Sequence, residues 1–111
     1  MTGKQIEAAK QSLPRFNDRT SQDKRIADEL SCREMINSCL IYGNPTAFYD
    51  ESTLEFQYYA QRYVNDLGEE TVKRLWDEQL ADFAKATVVF GVYTDSEGCC
   101  YNNCIWADEK N

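Results

Sequence analysis

The segment that decides the fold runs from Ser52 to Ala86 and reads STLEFQYYAQRYVNDLGEETVKRLWDEQLADFAKA. Its apolar residues recur every three or four positions, which is the spacing of an amphipathic helix. Gly68 interrupts this pattern, because glycine adopts the left-handed conformation that ends a helix without a steric cost. The segment therefore predicts two antiparallel helices joined at Gly68, with their apolar faces directed toward a common core.

Polar residues indicate where each of these two helices begins. Ser52 and Glu55 have the spacing of a capping box, so we expect the first helix to begin at Ser52. Its inward face is Phe56, Tyr59, Ala60, Tyr63, Val64 and Leu67. Glu69 and Glu70 open the second helix, where acidic groups suit the positive end of the helix dipole. Its inward face is Val72, Leu75, Trp76, Gln79, Leu80, Phe83 and Ala86.

Two further helices are predicted ahead of this segment. Thr2 can cap a short helix that reaches about Ser12, just before Pro14. A longer helix begins at Thr20 or Ser21, runs toward Tyr42 and ends at the Gly-Asn-Pro sequence that follows.

The longer helix carries apolar residues on two nearly opposite sides. It is therefore either buried on both sides or broken near Ser31, where a new capping box with Glu34 is possible. We expect a continuous helix in the centre of the fold. The next residues, from Thr46 to Glu51, are expected to form a loop that exposes Phe48 and Tyr49.

After residue 86 the apolar period changes to an alternating one. Thr87 to Thr94 is rich in β-branched and aromatic residues, Asp95 to Gly98 predicts a turn, and Cys99 to Trp106 predicts a returning strand. The expected fold class is thus α+β, with four helices and a C-terminal two-stranded antiparallel β-hairpin. At 111 residues the chain is expected to form a single small globular domain over residues 1–111.

Composition favours a soluble cytoplasmic protein. No apolar run approaches the roughly 20 residues of a membrane span. The five cysteines occur without a secretory signal pattern, which favours a reducing compartment over a disulfide framework. Net charge is −7 and is unevenly distributed: residues 1–45 carry seven basic and six acidic side chains, whereas residues 46–111 carry five basic and thirteen acidic ones. Direct binding to nucleic acid or to a membrane is therefore not expected.

Candidate chemistry is limited to the cysteines. Cys99, Cys100 and Cys104 lie within six positions, so a zinc site of thiolates is conceivable, but no C-x-x-C pair and no histidine supports it. The absence of histidine also removes the usual base that activates a cysteine nucleophile. We therefore expect no enzymatic activity, no cofactor and no bound metal.

The remaining candidate is a protein-binding surface. Acidic side chains group at both ends of the predicted helical hairpin and at the tip of the predicted β-hairpin, and two tyrosines fall outside the apolar stripes. The candidate partner-binding residues are Tyr49, Asp50, Glu51, Glu55, Tyr58, Asp66, Glu69, Glu70, Asp95 and Glu97. Two interpretations stay open: the acidity serves solubility, or it presents a phosphate-like array to a basic surface.

In size, acidity and absence of motifs, the chain resembles phage-encoded inhibitors such as DNA mimics and anti-CRISPR proteins. The resemblance covers composition only, so it assigns no residue. It implies a small acidic inhibitor that occupies a basic, nucleic-acid-binding groove of a partner protein in a bacterial or phage-infected cell. The alternatives are a cytosolic zinc- or thiol-dependent protein that uses the C-terminal cysteines, and an oligomerising regulatory subunit.

Overall fold

The computed structural model describes residues 1–94 and 100–109, with side chains for residues 1–85. This part of the chain forms the helices α1 (Gly3–Gln11), α2 (Ser21–Ile41), α3 (Gln61–Leu67) and α4 (Glu69–Ala84). Single 3-10 turns occur at Phe16–Asp18, Pro45–Ala47 and Tyr58–Ala60. Two short strands, β1 (Tyr49–Asp50) and β2 (Glu55–Phe56), pair antiparallel between α2 and α3.

The predicted starts of α1 and α2 are confirmed. Thr2 caps α1 in a reciprocal capping box with Gln5, in which the Gln5 amide donates to Thr2 Oγ1 at 3.2 Å. Thr20 caps α2 in the same way with Asp23. In each box one side chain accepts from a backbone N–H that no helical carbonyl reaches, so both helix starts are encoded locally.

The prediction that α2 is continuous and central is also confirmed. It runs unbroken for 21 residues and contacts each of the other three helices. Cys32, Ile36 and Cys39 lie on one side of it in the hydrophobic core, and Leu30 and Asn37 are buried as well. Burial on more than one side explains why its apolar residues follow no single stripe.

The predicted junction at Gly68 is confirmed, but the predicted helix start at Ser52 is wrong. Gly68 has φ +89° and separates α3 from α4, whereas α3 begins only at Gln61. Residues 51–54 form a turn between β1 and β2, stabilised by a hydrogen bond from the Leu54 amide to the Asp50 carbonyl at 2.8 Å. The Ser52 amide and hydroxyl both donate to Asp50 Oδ1, at 3.0 and 2.6 Å. An aspartate-centred turn thus replaces the expected capping box.

The predicted fold class is also wrong at its C-terminal end. Two extended segments, β3 (Ala86–Thr94) and β4 (Cys100–Glu109), follow α4 and pair antiparallel. Residues 95–99, on which the expected turn falls, lie outside the described residues, as do all side chains from residue 86 onward. The expected C-terminal hairpin packed on the helices is therefore not supported. The fold that is supported has four helices and the small sheet β1–β2.

Aromatic rings from β1 and α4 form the centre of the core, so the expected exposure of Phe48 and Tyr49 is wrong. Phe48 is fully buried, and its ring stacks on that of Trp76 with 5.4 Å between centroids and 6° between planes. Tyr49 is 5% exposed and contacts both Trp76 at 5.8 Å and Phe56 at 5.0 Å. Stacked and tilted aromatic pairs stabilise beyond the area they bury, by about 0.5–1.5 kcal/mol each.

Polar side chains join α2 to α4 beside this core. Gln79 is 1% exposed, and its amide donates to Asn37 Oδ1 at 2.6 Å while its Oε1 accepts from Arg33 at 2.8 Å. Arg33 also bonds Glu78 at 3.1 Å. Among the described side chains no buried polar atom lacks a partner. Gln79 therefore occupies the inward face of α4 without the penalty of an unpaired buried amide.

Trp76→Ala tests whether the aromatic centre stabilises the domain. Replacing a buried tryptophan with alanine typically costs about 3–5 kcal/mol, which is a large share of the stability of a small domain. We expect the urea midpoint to fall strongly. Phe16→Ala is the matched control, because Phe16 is 69% exposed. Equal midpoints for the parent and Trp76→Ala would remove Trp76 from the centre of the core.

Leu54→Asn tests the backbone strain in the turn between β1 and β2. Leu54 has φ +59° and is 73% exposed, so leucine bears the left-handed conformation there with little packing in return. That conformation costs an ordinary residue about 1 kcal/mol, and asparagine tolerates it better. We expect Leu54→Asn to raise the urea midpoint, whereas Thr53→Asn in the same turn should not. A lower midpoint for Leu54→Asn would show that the leucine packs on the fold.

Candidate functional site

A groove with a volume of about 850 Å³ lies where the hairpin β1–β2, α3 and α4 meet. Its apolar lining is Tyr49, Leu54, Phe56 and Val64. Its charged lining comes from β2 and the first three turns of α4: Glu55, Glu69, Glu70, Lys73, Arg74, Asp77 and Glu78. We call it the acidic groove, since its carboxylates outnumber its cations.

Both cations of the acidic groove are already paired within the chain. Lys73 donates to Asp77 at 2.6 Å, and this hydrogen bond is the main reason that its pKa is raised. The Lys73 ammonium also lies 5.1 Å from the centroid of the Tyr49 ring. Arg74 bonds Glu29 of α2 at 2.8 Å and Glu78 at 3.0 Å. These cations are therefore not available to neutralise the remaining carboxylates of the groove.

Three carboxylates of the groove remain exposed and without an ion pair. Within the described side chains of residues 1–85, no lysine or arginine pairs with Glu55, Glu69 or Glu70. Glu69 and Glu70 belong to the first turn of α4, where the helix dipole favours their charge. The groove therefore combines an apolar lining with a net negative charge, which is suited to a cationic group attached to an apolar one.

Glu78 forms ion pairs with Arg33 of α2 and Arg74 of α4, so it does not add to the uncompensated negative charge of the groove. Partial burial would raise its pKa, but the hydrogen bond and charge of Arg33, followed by those of Arg74, outweigh burial and lower the pKa. The Glu78 carboxylate thus stays ionised between two guanidinium groups. Its stabilising contribution is present at neutral pH and is lost as the pH falls through its lowered pKa.

The structure separates the ten predicted partner-binding residues into groups. Four of them, Tyr49, Glu55, Glu69 and Glu70, line the acidic groove, so acidic residues predicted at opposite ends of the helical hairpin come together. Asp50 and Glu51 line a smaller pocket of about 440 Å³ beside Trp76. Tyr58 and Asp66 are exposed but do not line the groove, and Asp95 and Glu97 lie outside the described residues.

Exposed apolar side chains are close in sequence to the residues that line the groove. Leu54, Tyr58 and Tyr59 are 73, 83 and 44% exposed, and the two tyrosine rings meet edge to face with centroids 5.3 Å apart. We call these three residues the apolar segment. Leu54 itself lines the groove, and the two tyrosines lie between the groove residues Phe56 and Gln61. The sequence pattern indicated Tyr58 as a candidate, whereas it placed Tyr59 on the inward face of the predicted helix and did not single out Leu54.

The two cysteines whose side chains are described lie in the interior of the fold. Cys32 and Cys39 are buried, and burial raises the pKa of the Cys32 thiol to about 12 and also raises that of Cys39. Both thiols are therefore protonated and poorly nucleophilic at neutral pH. Among the described residues, no three histidine, cysteine or acidic side chains form a cluster that could hold a metal ion. The alternative based on Cys99, Cys100 and Cys104 concerns side chains outside the described residues.

Comparison with known proteins assigns no function. No protein-family model, no curated protein and no solved structure matches this chain. The functional argument therefore rests on the geometry and charge of the acidic groove and of the apolar segment.

Ser52→Ala tests how the turn beside the groove is held. The Ser52 hydroxyl and amide lower the pKa of Asp50, with the hydroxyl as the largest cause. A lowered pKa in the folded state stabilises the turn above the unfolded pKa, and this contribution is lost as the pH falls through the folded pKa. Ser52→Ala should raise the Asp50 pKa in a carboxyl-detected NMR titration, whereas Ser12→Ala in α1 should leave it unchanged. An unaltered Asp50 pKa in Ser52→Ala would contradict this account of the turn.

Proposed function

We propose that this protein is a small acidic binding protein that occupies a basic, nucleic-acid-binding surface of a partner protein and thereby inhibits it. One observation carries the proposal. Glu55, Glu69 and Glu70 surround a single groove with an apolar lining, while the cations beside them are neutralised by the chain's own carboxylates. These three uncompensated negative charges would attract a basic surface that normally binds phosphates.

Charge and chemistry support binding rather than catalysis. Residues 46–111, which supply most of the groove, carry thirteen acidic and five basic side chains. The chain has no histidine, and the two cysteines whose side chains are described, Cys32 and Cys39, are buried thiols. We therefore propose no enzymatic activity and no cofactor, with a protein as the partner and no direct contact to nucleic acid or membrane.

The proposed location is the cytoplasm of a bacterial or phage-infected cell, where nucleic-acid-binding proteins are accessible. No helix in the described part of the chain has both the length and the apolar character needed to cross a bilayer. The proposal follows the compositional resemblance to phage-encoded inhibitors, and the net negative charge of the acidic groove supports it.

The charge reversals Glu69→Lys and Glu70→Lys, made together, test the proposal. The immobilised parent would first capture proteins from a nuclease-treated bacterial lysate, and duplex DNA would then be added as a competitor. We expect DNA to release the bound protein, and the double variant to associate with it about tenfold more slowly at low salt. Association of the parent should also slow as salt rises, because the Debye length shortens to about 8 Å at physiological ionic strength.

The matched control is Asp18→Lys together with Gln11→Lys and Asn17→Lys, which changes the net charge equally at exposed residues outside the groove. It should retain most of the parent's association rate. Glu55→Lys provides a second test on β2, away from the dipole of α4, and circular dichroism verifies that each variant is folded. Captured proteins that DNA does not displace, or association that is equally slow in groove and control variants, would overturn the proposal.

A further inference from the structure

The apolar segment is exposed beyond what the fold requires. Large hydrophobic residues more than a third exposed number six in residues 1–85, and Leu54, Tyr58 and Tyr59 are three of them within six consecutive positions. The other three are far apart: Phe16 lies between α1 and α2, Ile26 lies within α2, and Tyr42 follows the end of α2. Single exposed apolar residues are ordinary, whereas a concentration beside a groove indicates a contact surface.

The apolar segment is also held in place before any partner arrives. The Leu54 amide bonds the Asp50 carbonyl, and the Gln57 amide donates to the carbonyl of the buried Phe48, each at 2.8 Å. The rings of Tyr58 and Tyr59 contact each other edge to face. A segment whose backbone is already ordered loses less entropy on binding, and aromatic residues with few rotatable bonds serve as anchors at interfaces.

We infer that the acidic groove and the apolar segment form one docking surface, and that its occupant is a basic segment of a partner protein with an aromatic residue among its arginines or lysines. The inference rests on the proposed function and specifies the partner's chemistry. The cations would pair with Glu55, Glu69 and Glu70, while the aromatic residue packs on Leu54 and Tyr58.

Charge excludes the other obvious occupants of this surface. A second copy of the chain docked through the same face would bring Glu55, Glu69 and Glu70 against their own counterparts, and like charges at an interface oppose association. A nucleic acid or an anionic membrane meets the same repulsion. An uncharged apolar partner would leave the three carboxylates partly desolvated and unpaired. Only a cationic partner that also carries an apolar group satisfies both parts of the surface.

The residue at position 54 gives independent support. Leucine there bears a left-handed backbone and leaves 73% of its surface in water, so the folded chain alone does not account for it. A leucine in this position gains burial only when another molecule covers it.

Two short peptides test the inference with the full-length protein. Both contain the same arginines and lysines; one has a central tryptophan and the other an alanine in its place. We expect the tryptophan peptide to bind the parent about tenfold more tightly in fluorescence anisotropy. In Leu54→Asn and in Tyr58→Ala this advantage should fall to about twofold or less. Phe16→Ala, which removes an exposed aromatic elsewhere, should retain it.

Each outcome separates the inference from the proposed function. If both peptides bind the parent equally, or if Tyr58→Ala and Leu54→Asn keep the full tryptophan advantage, the inference is wrong. Equal weakening of both peptides by Glu69→Lys with Glu70→Lys would in that case still support the acidic groove as a site for cations. If neither peptide binds, the inference is also wrong, and the proposed function is judged on displacement by DNA alone.

Discussion

The stack of Phe48 on Trp76 determines where the rest of the molecule lies. It joins the residue before β1 to the middle of α4, across 28 positions of sequence, with the two rings nearly parallel. Tyr49 extends the contact, because it touches both Trp76 and Phe56. The hairpin β1–β2 is thereby fixed beside α4, and the acidic groove is the space that remains between them. The position of the candidate site is thus a consequence of core packing.

The ion pairs between α2 and α4 determine the charge of that space. Arg74 lines the groove but bonds to Glu29 of α2 and to Glu78, and Arg33 of α2 also bonds to Glu78. The ion pairs of Arg74 are largely exposed, and such pairs contribute little stability individually, typically below about 1 kcal/mol. Their larger effect is on the surface, since cations engaged between the helices leave Glu69 and Glu70 uncompensated.

Local signals in the sequence predicted the starts of α1 and α2 and the junction between α3 and α4. The capping residues Thr2 and Thr20 and the break at Gly68 depend on neighbours within three or four positions, so they are visible without the fold. Four residues of the predicted inward face of α4 are buried as expected: Val72, Leu75, Trp76 and Gln79. Phe83 was predicted on the same face but is only partly buried.

Residues 48–60 could not be predicted in this way. The apolar spacing from Ser52 onward fits a helix, but the chain forms the hairpin β1–β2 and a 3-10 turn before α3 begins. Phe48 and Tyr49 pack against Trp76, a contact that no local pattern contains. Asp50 organises a turn at the position where Ser52 was expected to cap a helix. The same error affected the candidate site: Glu55, Glu69 and Glu70 were chosen for their charge, but their convergence on one groove depends on this long-range packing.

The conformation of Leu54 also bears on how this surface would change over generations. A position whose backbone prefers asparagine or glycine, and whose side chain contributes little to the core, drifts toward those residues once nothing outside the fold selects against them. On the inferred docking surface, an external contact would account for leucine at the end of the β1–β2 turn. In lineages without such a contact, this position should be among the first to change to asparagine or glycine, while Phe48 and Trp76 stay fixed by the core.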